Sequence, residues 1–267
     1  MISLMLWPVL ICLILSIVHA YLGLHVVSRG VIFVDLALAQ LAALGALVGF
    51  ALGVPLHTFS SYGCSLGFTL IGALFFALTR EPRRSEGVPH EAIIGVIYAV
   101  SAAASILILN AVPAEAEHLK DMLVGNLLFV YRFEVLKIAI LYGVVGMIHY
   151  VFRRRFWQMS ESMGDVKQAR LWDFLFYALF GIVVTSSVEV AGVLLVFSYL
   201  IVPSLCAFFL SDRLSVRIGI AWSIGIMSSI VGVGLSVFLD WPTGPSIICV
   251  LGVMAVLMGV FKKSFTH

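Results

Sequence analysis

Four polar side chains stand within long apolar stretches of this sequence, and they are the residues best placed to do chemistry there. They are Asp35, Gln40, Glu91 and Glu189. Polar and ionisable groups are costly at membrane depth, and those that occur there usually face a cavity, a pathway or a partner. The four side chains are therefore the candidates for lining a transport pathway.

Each of the four also has an interpretation that involves no transport. Asp35 lies near one end of its stretch, where it could cap a helix, and on a helix it points about 140° away from Gln40. Glu91 begins its stretch, and a carboxylate in a first helical turn interacts favourably with the helix dipole. Glu189 separates two apolar stretches, so it lies either at a membrane interface or on a pathway. The sequence leaves both interpretations open.

Tight metal ligation and enzymatic chemistry find little support in the sequence. The seven histidines form no HxxxH or HxxE pair, and the four cysteines lie far apart within apolar runs. The acidic segment at 112–122 suits a solvated loop or a patch that recognises a partner. No GxxxxGK[ST] phosphate loop, GxSxG or HExxH motif occurs. We therefore expect no bound cofactor, and active transport would need a separate ATPase subunit or an ion gradient.

The composition indicates a membrane protein. Of 267 residues, 62% are hydrophobic and 11% are charged, whereas a soluble protein carries about 25% charged residues. The net charge of +2 is too small to suggest nucleic acid. A span needs about 20 apolar residues, and we interpret residues 1–267 as a single transmembrane domain with nine such stretches. They are 4–25, 31–53, 59–79, 91–111, 133–152, 171–188, 190–210, 215–238 and 244–261.

The sixth and seventh stretches are the least distinct pair, because only Ser187–Glu189 separates them. One long bent helix or a re-entrant pair, with eight spans in total, is the alternative. The basic residues favour nine. With nine spans, 13 of the 16 basic residues fall on one side of the membrane. By the positive-inside rule that side is cytoplasmic, which predicts a multi-pass inner-membrane protein with its N-terminus outside and its C-terminus in the cytoplasm.

One predicted cytoplasmic loop is unusually long. Residues 153–170, RRRFWQMSESMGDVKQAR, form a polar, basic segment that could fold as an amphipathic helix. A multi-spanning protein has little use for such a loop unless a partner docks on it. The candidate docking residues are Arg153, Arg154, Arg155, Glu161, Gly164 and Asp165.

Six segments, in order along the chain, carry a family resemblance. They are RGVIFVDLALAQLAALG at 29–45, EAIIGVIYAVSAAASILIL at 91–109, HLKDMLVGNLLFV at 118–130, the 153–170 loop, VEVAGVLLVFSYLIVPSLCA at 188–207 and DWPTGP at 240–245. This chain resembles the membrane-spanning permeases of ATP-binding-cassette (ABC) importers for zinc, manganese and iron. The loop at 153–170 lies where that family has the coupling helix that inserts into the ATPase.

The resemblance implies an all-α fold of the type II importer kind and a mechanism. Two permease copies would form the path as a homodimer, and two ATPase subunits would dock beneath them and use ATP. An extracytoplasmic binding protein would deliver a divalent metal ion as substrate, and alternating access would move it inward. Glu91 matches the acidic position of the fourth family helix. If Gln40 takes the family's histidine position, however, Leu36 rather than Asp35 takes the aspartate position, so the metal is left open.

Three other functions remain alternatives at this stage. An ion-coupled secondary transporter would explain the intramembrane carboxylates but leaves the 153–170 loop unexplained. A siderophore- or cobalamin-type importer permease shares the architecture but tends to have ten spans. A membrane scaffold or sensor that transports nothing would need no water-accessible path around Glu91.

Overall fold

The structure is a computed structural model that describes residues 2–56, 58–80, 89–111, 125, 127, 130–161 and 169–265. These residues form ten α-helices, and no strand occurs among them. The helices are α1 Ile2–Arg29, α2 Val34–Ala51, α3 Phe59–Thr79, α4 His90–Ala111, α5 Arg132–Val151, α6 Arg153–Glu161, α7 Ala169–Ala191, α8 Val193–Leu210, α9 Leu214–Leu239 and α10 Thr243–Phe265.

Within the described part of the chain, nine of these helices are long and apolar enough to cross a membrane. The exception is α6, which has nine residues. The all-α transmembrane bundle and the count of nine spans are thus confirmed, and the eight-span alternative is wrong. The predicted limits of the spans agree with the helix ends to within a few residues, since hydropathy over about 20 residues locates a span better than its ends.

The predicted boundary between the sixth and seventh spans is wrong in position. α7 continues through Ser187 and Glu189 to Ala191, and the break falls at Gly192. Gly192 has φ 76° and ψ 156°, a conformation that is essentially restricted to glycine. The polar residues suggested a loop, but a helix tolerates serine and glutamate near its end, whereas it does not tolerate this backbone conformation.

The nine long helices pack as two groups. In one group α2 lies against α3, α4 and α7, and in the other α1 lies against α8 and α9, with α10 covering α8 and α9. Contacts of α7 with α8, and of α5 with α1 and α7, join the groups. α1, α2 and α7 are the most buried spans, and α4 is the most exposed. The interior is therefore built around α1, α2 and α7.

α6 lies at one end of this bundle, which we call the α6 face. α5 ends and α7 begins there, and the end of α1 and the residue that follows α3 contact α6 directly. Because the spans alternate in direction, α2, α4 and α9 also begin at this face. The opposite face carries the junction between α7 and α8.

Candidate functional site

The short helix α6 is amphipathic, as the sequence predicted for part of residues 153–170. Its buried side chains are Phe156, Met159 and Ser160, while Arg153, Arg154 and Arg155 are exposed. Met159 and Ser160 follow Phe156 by three and four residues, so all three side chains lie on one face of the helix, which packs against the bundle. The three arginines remain free of the core and form a basic surface at the start of the helix.

A buried ion-pair cluster lies directly behind α6. The Asp173 carboxylate, near the start of α7, accepts a hydrogen bond from Arg29 Nη1 at 2.8 Å and another from Arg80 Nη1. The Arg29 side chain is wholly buried, and its guanidinium lies 3.8 Å from the centre of the Phe176 ring. One carboxylate thus serves two arginines that approach from the end of α1 and from the residue after α3.

The same two arginines hold α6. Arg29 Nε donates to Ser160 Oγ at 3.1 Å, and Arg80 Nη2 donates to the Met159 carbonyl at 3.1 Å. His25 Nδ1 also lies 2.9 Å from Ser160 Oγ. We call His25, Arg29, Arg80, Ser160 and Asp173 the α6 seat.

Aromatic stacking completes the attachment of α6. The His25 ring stacks on Trp157, with 3.9 Å between ring centres, and the His149 ring stacks on Phe156 at 4.3 Å. His25 comes from α1 and His149 from the last turn of α5. α6 is hydrogen-bonded to α1 and to the end of α3, and its rings pack against α5 and α7. A displacement of α6 must therefore move several spans or break buried contacts.

The sequence interpretation did not identify the α6 seat. Arg29 and Arg80 entered it only as charges that orient the chain, and Asp173 was not singled out. One signal was available, since Asp173 stands alone in the apolar run WDFLFYALF, the same argument that selected the four pathway candidates. Which cations would meet it could not be read from the sequence, because they lie 93 and 144 residues away.

The structure places two of the pathway candidates at the start of α2. Glu91 Oε1 accepts a hydrogen bond from the Phe33 N–H at 2.9 Å, across from α4 to the residue that caps α2. Its Oε2 has no hydrogen-bond partner among the described residues. Asp35, in the first turn of α2, is 1% exposed, and neither of its carboxylate oxygens has a partner in the described part of the chain.

The other two candidates lie elsewhere. Gln40 is half-buried on α2, further from the α6 face, and Glu189 is exposed in the last turn of α7, near the opposite face. The structure therefore does not bring the four together. Among the residues it describes, no group of three or more His, Cys, Asp or Glu side chains could hold a metal ion.

Two further sets of predicted residues are placed only in part. Glu161 is exposed at the end of α6, whereas Gly164 and Asp165 lie outside the described residues, as does the acidic segment at 112–122.

His19, deep in α1, contacts the Leu15 carbonyl through Nδ1 at 2.8 Å and Ser187 Oγ through Nε2 at 3.0 Å. Its two ring nitrogens thus bond within the bundle, as expected for a histidine that packs between helices.

Comparison with known proteins places this architecture in a family. The family model described as the ABC 3 transport family matches residues 1–262. The chain belongs to the ABC 3 transport family. It is thus a multi-pass membrane protein and a transport permease subunit, and the resemblance read from the six sequence segments is confirmed.

Relatives of this ABC 3 family chain are similar over most of their length. "Chelated iron transport system membrane protein YfeC" of Yersinia pestis is 26% identical over 240 residues, which cover 88% of this chain and 78% of the relative. "Manganese transport system membrane protein MntC" of Halalkalibacterium halodurans is 22% identical over 255 residues, 94% of this chain and 84% of that one.

A solved structure shares the fold. PsaBC from Streptococcus pneumoniae, in complex with Fab, matches with a TM-score of 0.76 at 18% sequence identity. The match covers 96% of this chain and 90% of the other. At this identity the likeness establishes the fold of the permease.

Proposed function

We propose that this chain is the membrane-spanning subunit of an ATP-driven importer for a divalent transition metal ion, namely zinc, manganese or iron. The observation that carries the proposal is the construction of α6, which exposes three arginines and is anchored in the bundle by the buried α6 seat. Membership of the ABC 3 transport family and the iron and manganese transport named for two relatives support the choice of substrate class.

The energy would come from a partner that docks on α6. The sequence contains no phosphate loop, so ATP would be bound and hydrolysed in separate ATPase subunits. A push on α6 passes to α1 and α7 through Arg29 and Asp173, and to the end of α3 through Arg80. These contacts are buried, and a buried cluster of this kind shifts as a unit because each broken bond would leave an unpaired charge.

Alternating access would follow from that movement in a homodimer. α4 exposes most of its surface in the single chain, including Val96, Val100 and Leu107, so a second copy could pack there and enclose a path. Glu91, at the start of α4, and Asp35, at the start of α2, would lie at the α6-face end of this path. Their unpartnered carboxylate oxygens are the atoms proposed to meet the metal, with Gln40 further in.

The direction of transport follows from the orientation. With nine spans, 13 of the 16 basic residues fall on the side of the membrane to which α6 belongs. By the positive-inside rule that side would be the cytoplasm, and both ATPase docking sites would lie there. Glu189 would then stand near the outer face, where an extracytoplasmic binding protein delivers the metal. The ion would pass from the outer face toward Asp35 and Glu91 and leave into the cytoplasm.

Metal accumulation in cells that lack their own importers tests this function. The chain is expressed with its ATPase and binding protein, and uptake of zinc, manganese and iron is measured together. We expect one of these metals to accumulate, and a Walker-motif substitution in the ATPase to abolish that accumulation. Absence of uptake of all three metals by a well-assembled complex would refute the proposal.

The docking role of α6 has its own test. Charge reversal at Arg153, Arg154 and Arg155 should greatly reduce the amount of ATPase that co-purifies with the permease, because the new acidic surface would repel a partner that the arginines attract. Reversal of Arg213, an exposed arginine at the start of α9 on the same face, is the control and should leave co-purification unchanged. Equal recovery of the ATPase with both variants would contradict docking on α6.

A further inference from the structure

An open groove of about 620 Å³ runs beside α6 on the outside of the bundle. Its walls come from α1, α5, α6 and α9 and are almost entirely apolar, with Leu22, Val145 and Ile218 among the lining residues. Trp157 and Trp222 also line it. None of the four pathway candidates reaches this groove. Arg153 and Arg154 line one end of it, but the proposed function gives its apolar walls no role.

The length of the groove matches one leaflet of a bilayer. On α9 it extends from Leu214, the first helical residue, to Trp222, a rise of about 12 Å at 1.5 Å per residue. Half of a hydrocarbon core of about 30 Å is about 15 Å. The groove therefore begins at the α6 face and is about as deep as one leaflet is thick, which suits an acyl chain.

The end of the groove at the α6 face carries positive charge. Arg153 and Arg154 line it there, and no carboxylate is among the lining residues. Neither arginine forms an ion pair with any residue that the structure describes. Both arginines stand in the first turn of α6, and this turn contains no acidic residue. The helix dipole adds further positive potential at this end of the helix. An anion bound at this position would reduce the repulsion between the two neighbouring positive charges.

We propose that this groove binds one anionic phospholipid from the leaflet at the α6 face. An acyl chain lies along α1, α5 and α9, and the phosphate contacts Arg153 and Arg154. Tyr150, whose ring lies 4.7 Å from the Arg153 guanidinium, and Trp157 flank the headgroup region. Basic pockets between helices on this side of a membrane are suited to anionic headgroups. The proposal requires only that the chain spans a membrane and does not depend on metal transport.

Two glycines on α5 provide a matched pair of variants. Gly146 lines the groove, and a Cβ atom added there would meet nothing within 4 Å. Gly143 lies one turn earlier, has equally open surroundings and does not line the groove. Gly146→Phe should fill the groove without a clash in the fold, while Gly143→Phe adds the same side chain beside it.

Native mass spectrometry of the purified complex, offered equal amounts of phosphatidylglycerol and phosphatidylethanolamine, tests the proposal. The unmodified protein should retain phosphatidylglycerol with about a tenfold preference, since two basic side chains favour the anionic lipid. Gly146→Phe should lose this retention and Gly143→Phe should keep it. Equal retention by the two variants, or no preference in the unmodified protein, would overturn the proposal.

A second pair of variants tests the headgroup contact without filling the groove. Replacement of both Arg153 and Arg154 by Gln should bring the preference for phosphatidylglycerol close to unity, whereas Arg155→Gln, in the same turn but outside the groove, should preserve it. A disulfide between two copies carrying Trp222→Cys would show that a second chain covers the groove, and that result would also overturn the proposal.

Discussion

Asp173 shows how one side chain can fix the position of several helices. Its carboxylate is buried and pairs with Arg29 and Arg80, which are themselves almost wholly buried. A buried ion pair adds little net stability by comparison with apolar packing, but the loss of one partner is costly because it leaves a desolvated charge unpaired. Asp173 is important for stability chiefly because it is the carboxylate of the α6 seat that offsets the charges of both Arg29 and Arg80.

Asp173→Asn should lower the free energy of unfolding by about 3–5 kcal/mol, since the amide has no charge to offset Arg29 and Arg80. Denaturant unfolding of the purified permease measures the change. Asp212→Asn is the control, because the Asp212 side chain is fully exposed in its ion pair with Arg217 and its loss should leave unfolding unchanged. Similar effects of both variants would contradict the structural role of Asp173.

Glu91 has two oxygens with different surroundings. Oε1 holds the N–H of Phe33, while Oε2 is unpartnered among the described residues. An interaction with the dipole of its own helix, α4, is therefore not the whole role of Glu91. Its carboxylate also accepts a hydrogen bond from the residue that caps α2. Capping by a side-chain oxygen and contact with a passing cation are compatible, because each needs only one oxygen.

Substitutions at Glu91 separate the two roles. Glu91→Gln keeps an oxygen for the Phe33 N–H, so the thermal stability of the permease should hold while metal uptake falls with the lost charge. Glu91→Ala should lower both, by about 1 kcal/mol in stability for a lost cap, without abolishing assembly. Uptake by Glu91→Gln at the level of the unmodified protein would confine Glu91 to capping.

At the scale of elements, the junction between α7 and α8 depends on glycine. Gly192 adopts φ 76°, and Gly125 packs against it so closely that a Cβ atom added to Gly125 would clash with the Ala191 carbonyl group. These glycines belong to two different segments of the family resemblance, at 118–130 and 188–207. The structure brings Gly125 of the first segment against Ala191 and Gly192 of the second, at the face opposite α6.

Gly192→Ala should destabilise the permease by about 1–3 kcal/mol, because the new side chain would strain this backbone conformation. The midpoint of thermal unfolding measures the effect. Gly219→Ala, inside α9 with nothing within 4 Å of the added carbon, should leave the midpoint unchanged or raise it slightly. A midpoint for Gly192→Ala equal to that of the unmodified protein would show that the junction can adopt another conformation.

For the molecule as a whole, the proposed function depends on orientation. Nine spans and the distribution of basic residues predict that the α6 face lies in the cytoplasm. Leu52, after α2, and Arg213, before α9, are exposed on opposite faces. They therefore report the topology directly.

In a cysteine-free background, Leu52→Cys should react with a membrane-impermeant maleimide in intact spheroplasts, whereas Arg213→Cys should react only after permeabilisation. Labelling with a fluorescent maleimide, followed by gel electrophoresis, compares the two. The reverse pattern would place α6 outside the cell, where no ATPase could reach it, and would contradict the importer mechanism.

The sequence by itself determined the class of the molecule. Hydropathy over about 20 residues predicted nine spans, the basic residues favoured one orientation, and the pattern at 153–170 indicated an amphipathic helix, because each of these properties is set by neighbouring residues. It also selected Asp35 and Glu91 as unusual, since a buried carboxylate is costly wherever it occurs. It misplaced the break at Gly192, because backbone conformation is not visible in hydropathy.

Only the tertiary structure decided which polar groups meet. Asp173 finds Arg29 and Arg80, Glu91 finds the Phe33 N–H, and Arg153 and Arg154 stand at the end of an apolar groove because of how helices distant in sequence pack. A buried charge requires a partner, but its identity depends on helix rotation and crossing. These are set by the fit of all the side chains together and not by any one segment.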